Sequence, residues 1–121
     1  DELSFLMQNH ILGAPARLGI MVYLLAKNKA FFTELLNVLK MTPGNLDSHL
    51  RKLRKAGYVD IVRVIGYDRP RVVIKITDKG RYETINYLSV LRRILEKYYV
   101  KPISYLSVHT LTYRGYTVLL L

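Results

Sequence analysis

Between Thr42 and Lys55 the chain sets the small residues Gly44, Asn45 and Ser48 ahead of the cations Arg51, Lys52, Arg54 and Lys55, with Asp47 the one anion among them. At a helical period of about 100° per residue, Gly44, Asn45, Ser48, Arg51, Lys52 and Lys55 share one face. Leu46, Leu50 and Leu53 lie opposite, and Asp47, His49 and Arg54 flank the polar face. Asparagine pairs a donor and an acceptor in the spacing of an adenine edge, small side chains let a helix backbone approach bases, and guanidinium and ammonium groups meet phosphates. The chemistry is that of nucleic-acid recognition. Asn45 has a second role open to it, helping to cap its own turn. His49 either meets a phosphate or packs half-buried against a neighbouring helix. An ordinary solvated helix face mixes its charges, whereas this one carries four cations against one anion.

The elements that must hold these residues are marked in the sequence. Thr42 can cap the first turn and Pro43 fits the first helical position, while Gly57 is placed to end the helix, so a helix over 43–57 is expected. Before it, Thr33 is expected to cap a short helix with Leu35, Leu36 and Leu39 inward, and two such helices joined by a few residues make a helix-turn-helix. After it the period changes. Tyr58 to Ile65 and Arg71 to Ile76 read as strands around Gly66-Tyr67-Asp68-Arg69-Pro70, a hairpin whose basic tip (65–71) is stiffened by Pro70 between Arg69 and Arg71. The fold class expected is α+β, a winged helix-turn-helix with an N-terminal helix and a long C-terminal dimerisation helix.

That C-terminal helix, capped by Thr77, is expected from about Asp78 to Tyr99 with Tyr82, Ile85, Leu88, Leu91, Leu95 and Tyr98 on one side. At roughly 33 Å it is longer than a domain of this size buries alone. A homodimer interface shared with Leu3, Leu6 and Met7 of an amphipathic segment over 2–11 is the economical account; the alternative is a long helix lying across its own domain. Residues 16–27, dense in apolar side chains, are expected to form the central helix, and residues 30–32 are β-compatible.

The chain has 121 residues, 50% of them hydrophobic, and 19 Lys and Arg against 9 Asp and Glu give a net charge of +10. One domain over 1–100 is expected, and polyanions are its natural partners. Residues 101–121 form an apolar tail whose alternation suggests β-structure, or else an appended or truncated segment. No cysteine is present, so disulfides and thiolate metal sites are excluded. No apolar run of eighteen residues and no leader ahead of Leu3 are seen; a cytoplasmic protein without membrane contact is expected. Nucleotide-binding glycine loops, a G-x-S-x-G elbow and an H-E-x-x-H motif are all missing, which argues against an enzyme and leaves no cofactor to expect.

The runs G-A-P-A-R-L-G-I-M-V-Y-L-L, T-P-G-N-L-D-S-H-L-R-K-L-R-K-A-G-Y-V and D-R-P-R-V-V-I-K-I-T-D-K-G-R resemble archaeal winged-helix transcriptional regulators related to the MarR and ArsR groups, over about residues 11–95. The resemblance implies a homodimer on double-stranded DNA, with two recognition helices in successive major grooves and the wings on the flanking groove or backbone. It assigns contacts to Thr42, Gly44, Asn45, Ser48, His49 and Arg51, and wing contacts to Arg69 and Arg71. Lys52 and Lys55 join them from the helical projection. Cysteine-based metal sensing does not carry over, and His10, His49 and His109 are too far apart in sequence to suggest a metal cluster. Whether a small effector binds is open. The rival reading is a winged-helix protein-interaction module without sequence-specific DNA binding.

Overall fold

Prolines start two of the helices and residues at positive φ end three of them in the computed structural model, which describes residues 1–66, 68–98 and 110–119. Helix α1 (Glu2–Gln8) is capped by Asp1, whose carboxylate accepts from the Ser4 N–H at 2.7 Å. It ends three residues before the expected Ile11. Asn9 turns extended and its side chain accepts from the Leu12 N–H at 2.8 Å, a local bond that competes with another helical turn and leaves His10 and Ile11 in the connection.

Helix α2 (Pro15–Lys27) begins at Pro15 and stops at Asn28, which takes φ 68°. Strand β1 (Lys29–Phe31) then leads into α3 (Phe32–Leu39). Thr33 is not the cap expected of it: the helix starts at Phe32, two residues earlier than a cap at Thr33 would set it, and the carboxylate of Glu34 reaches back to the Phe31 N–H at 3.4 Å. A glutamate in the third helical position thus supplies what the threonine was expected to supply. Lys40 closes α3 in the left-handed region at φ 53°, forming the tight turn into α4 (Pro43–Lys55).

Strands β2 (Val59–Ile65) and β3 (Pro70–Ile76) form the hairpin, and β1 pairs with the other edge of β3, giving the antiparallel order β1-β3-β2. The register sets Ala30 and Ile61 on either side of Ile74, so all three point to the helices. Leu12, Ile20, Met21, Leu24, Leu35, Leu46, Leu50, Leu53, Val59 and Ile74 make the core between the sheet and the helices. Helix α5 (Asp78–Tyr98) leaves the sheet and returns across α2 and α1, to which Arg93 is tied by an ion pair with Glu2 at 2.9 Å. Its buried positions are Gly80, Thr84, Val90 and Ile94.

The apolar side expected along α5 is therefore split. Ile85, Leu95 and Tyr98 face solvent together with Tyr82, as do Leu3 and Met7 of α1, while Leu6, Leu88 and Leu91 are half-buried. Part of the apolar tail is described: β4 (Thr110–Tyr113) and β5 (Tyr116–Leu119) pair as an antiparallel hairpin around Arg114 and Gly115. Tyr67, Tyr99 and the rest of the tail, including His109, lie outside the described residues.

Candidate nucleic-acid interface

Helix α4 is defined at both ends by its own residues. The Thr42 hydroxyl accepts from the Asn45 N–H at 3.3 Å, so the capping role belongs to Thr42, and the Asn45 side chain makes no hydrogen bond among the described residues. At the other end Gly57 adopts φ 82°, its N–H donates to the Arg54 carbonyl at 2.9 Å, and the Tyr58 N–H donates to the Leu53 carbonyl at 2.9 Å. Those two bonds satisfy the last carbonyls in the pattern that a left-handed residue permits.

The inward face, Leu46, Leu50 and Leu53, is at most 1% exposed. Burial on this scale is worth about 2 kcal/mol per leucine and fixes the rotation of the helix about its axis. The outward face follows from it. Thr42, Gly44, Asn45, Ser48, Arg51, Lys52 and Lys55 are all exposed, and Arg54 with them. Arg51 bonds to Asp47 at 2.8 Å across one turn, and both side chains are more than half exposed.

His49 alone of the expected contacts on this helix is half-buried. Its Nδ1 lies 3.1 Å from a terminal guanidinium nitrogen of Arg17, which is 8% exposed on α2. Arginine only donates, so Nδ1 accepts and the neutral ring carries its proton on Nε2. Burial first, then the charges of Arg17 and Lys52, hold the imidazole below its usual range. Arg17 spends its other donors on backbone carbonyls, Nε to Ile11 at 2.8 Å and the second terminal nitrogen to His10 at 2.9 Å. Sequence reading assigned Arg17 no role; its partners are 6, 7 and 32 residues away, outside any periodic signal. Beside it a cleft of about 540 Å³ opens among Leu6, Met7, His10, Arg17 and Tyr87.

The hairpin brings Arg69 and Arg71 to the exposed end of the sheet. Asp68 organises this tip. Its carboxylate accepts from the Arg69 N–H at 2.9 Å and pairs with Arg71 at 3.2 Å, and hydrogen bonds from the backbone and from Arg71 hold it below the usual carboxylate range. The Arg71 guanidinium also lies over the Phe31 ring, 5.3 Å from its centroid, a contact that joins the wing to β1. Among the described residues Lys52, Lys55 and Arg69 have no intramolecular ion pair.

Thr77 ties the helix to the rest of the domain. Its hydroxyl donates to the Gly57 carbonyl at 2.6 Å and accepts from the Gly80 N–H at 3.0 Å, while its own N–H donates to the Tyr58 carbonyl at 3.0 Å. The end of α4 and the start of α5 are thereby one bonded unit. Gly80 is required there, since a Cβ would sit 2.1 Å from the Tyr58 carbonyl oxygen. Thr77 was read from sequence as a cap alone.

Residues 16–95 match the family model described as the winged helix DNA-binding domain. The chain belongs to that family. This winged-helix protein is 35% identical over 78 residues to the uncharacterized protein MJ0432 of Methanocaldococcus jannaschii, a match that spans 64% of this chain and 85% of that one. It is 49% identical to a transcriptional regulator homologue protein of Pyrococcus horikoshii OT3, with a TM-score of 0.76 over 79% of this chain and 95% of that one. Diamide-treated YodB of B. subtilis has the same fold at 16% identity, with a TM-score of 0.61 over 76% of this chain and 88% of that one. Among the described residues of the winged-helix protein, no group of three or more His, Asp or Glu side chains could hold a metal, and no helix is long and apolar enough to cross a membrane.

Proposed function

We propose that this protein is a homodimeric, sequence-specific double-stranded DNA-binding transcriptional regulator. Helix α4 enters the major groove, and the wing lies on the flanking groove or backbone. Asn45 and Ser48 read bases, Thr42 and Gly44 bring the start of the helix close to the DNA, and Arg51, Lys52, Lys55, Arg69 and Arg71 meet phosphates. The observation that carries this reading is the rotation of α4: three leucines at most 1% exposed lock one face inward and leave the small polar and cationic residues outward. The wing cations Arg69 and Arg71, of which Arg71 is held by Asp68 and Phe31, add a second basic element.

The dimer is supported by apolar side chains that the single chain leaves uncovered. Met7 is 80% exposed, Leu3 51%, Ile85 50% and Tyr98 55%, with Leu95 beside them and half-buried Leu6, Leu88 and Leu91 behind. Apolar surface spread over two contacting helices favours self-association. Selection of bound duplexes from a random pool, with sedimentation analysis of the free protein, tests both parts. A two-fold symmetric consensus and a dimer are expected. Recovery of unenriched sequence, with binding that vanishes at moderate salt, would overturn specific recognition and favour the protein-interaction reading.

A further inference from the structure

A buried guanidinium is costly unless its charge is matched, and Arg17, 8% exposed, is answered among the described residues by two backbone carbonyls and the His49 ring. Its three bonds run in two directions. Two hold the loop that ends α1, and the third crosses to the second turn of α4, one residue from Ser48 and four from Asn45. A planar fork suits this task, since it donates along fixed directions to acceptors on different elements, which a lysine cannot do.

We propose that Arg17 is a positioning residue for DNA binding: through neutral His49 it ties the recognition helix to the loop between α1 and α2, and protonation of His49 breaks the tie and weakens operator binding. This rests on the DNA-binding reading above and deepens it. Protonated Nδ1 cannot accept from Arg17, and it sets a second positive charge against the first at 3.1 Å.

Carboxylates on the packed elements do not offset that repulsion. The charges acting on His49 are Arg17 from α2 and Lys52 from its own helix. On α3, Glu34 is engaged by the Tyr23 hydroxyl and the Phe31 N–H. On β2, Asp60 is exposed opposite Lys75, and Arg63 is a further cation. His10 turns its carbonyl to Arg17.

The sign follows from the lowered imidazole. Unfolded, His49 titrates near 6.5. Folded, it titrates below that, so the tie is complete above about pH 6.5 and is lost as pH falls through the folded value. A histidine that meets a phosphate behaves oppositely, because charging it strengthens binding.

The test compares wild type, His49→Asn and Arg17→Gln on one selected operator at fixed ionic strength, at pH 7.5 and at an acidic pH below the folded His49 value, which an NMR titration of the imidazole in DNA-free protein supplies. The Asn carbonyl oxygen replaces Nδ1 as an acceptor and does not titrate. Wild-type affinity is expected to fall roughly three- to tenfold on acidification. In His49→Asn the change stays within about twofold. Arg17→Gln weakens binding at pH 7.5 with an unchanged salt slope, because a buried guanidinium neutralises no phosphate, and it returns the His49 titration toward 6.5.

Tighter wild-type binding at the acidic pH, lost in His49→Asn, would make His49 a phosphate contact and overturn the proposal, as would an identical pH response in the two proteins. Should no operator be found, the DNA reading fails separately and the titration judges the tie. His49 at or above its ordinary value, or unmoved in Arg17→Gln, refutes it. If Arg17→Gln does not fold, the comparison with His49→Asn still decides.

Discussion

Asp47→Asn removes the one anion between Asn45 and Lys55 on α4, and the structure sets the expected size of two effects. The first is on stability. Asp47 and Arg51 are 2.8 Å apart but 53% and 72% exposed, one turn apart on a solvated face. Pairs of this kind contribute about 0.3–0.5 kcal/mol after solvent screening and side-chain ordering, so urea unfolding should move by no more than about 0.5 kcal/mol with an unchanged m-value. The second is on DNA binding. A carboxylate within about one Debye length, roughly 8 Å, of a phosphate costs about 0.5 kcal/mol in high dielectric. Two subunits make that about 1 kcal/mol, or roughly a fivefold gain in affinity on removing it. Arg51, released from Asp47, should also steepen the salt slope by up to about 1 per subunit. Fluorescence anisotropy on operator and random duplexes across a salt series measures both. Weaker operator binding with random DNA unaffected would mean that Asp47 reads a base. A stability loss above about 1.5 kcal/mol would mean that the pair holds the helix. Either result refutes the view of Asp47 as a modest brake on a phosphate-binding face.

Thr77→Val should destabilise by about 2–4 kcal/mol in urea, since it deletes the cap on Gly80 and leaves the Gly57 carbonyl without its donor, whereas Thr77→Ser should lose under about 1 kcal/mol. Equal losses in the two variants would place the effect in packing instead. Asn45→Ala should cost roughly 1–3 kcal/mol on operator and little on random DNA, while Arg71→Ala should weaken both alike and lower the salt slope by about 1 per subunit; competition binding separates them. Ile85→Glu should give a folded monomer by sedimentation and circular dichroism, because the side chain is 50% exposed in the single chain; a dimer of unchanged stability would place the interface elsewhere. Leu50→Ala should cost about 2–5 kcal/mol and take DNA binding with it, read by thermal unfolding and gel shift.

Local chemistry made much of this protein legible in its sequence. Thr42-Pro43 at one end of α4 and Gly57 at the other mark its limits through bonds made within a few residues, and leucines at helical spacing set which face goes inward. Alternating β-branched residues on either side of Gly66 to Pro70 announced the wing in the same way. Where two local candidates competed, sequence alone misjudged the winner: Asn9 rather than a longer helix ended α1, and Glu34 rather than Thr33 served the start of α3. The tertiary structure decided what depends on residues distant in sequence. It brought Arg17 against His49, set Gly80 under the Tyr58 carbonyl, and divided the apolar positions of α5 between the core and an uncovered face. Periodicity reports which residues share a face of one element. Only packing determines which element that face meets, and so which cation stays exposed, as Lys52 and Lys55 do, and which is buried, as Arg17 is.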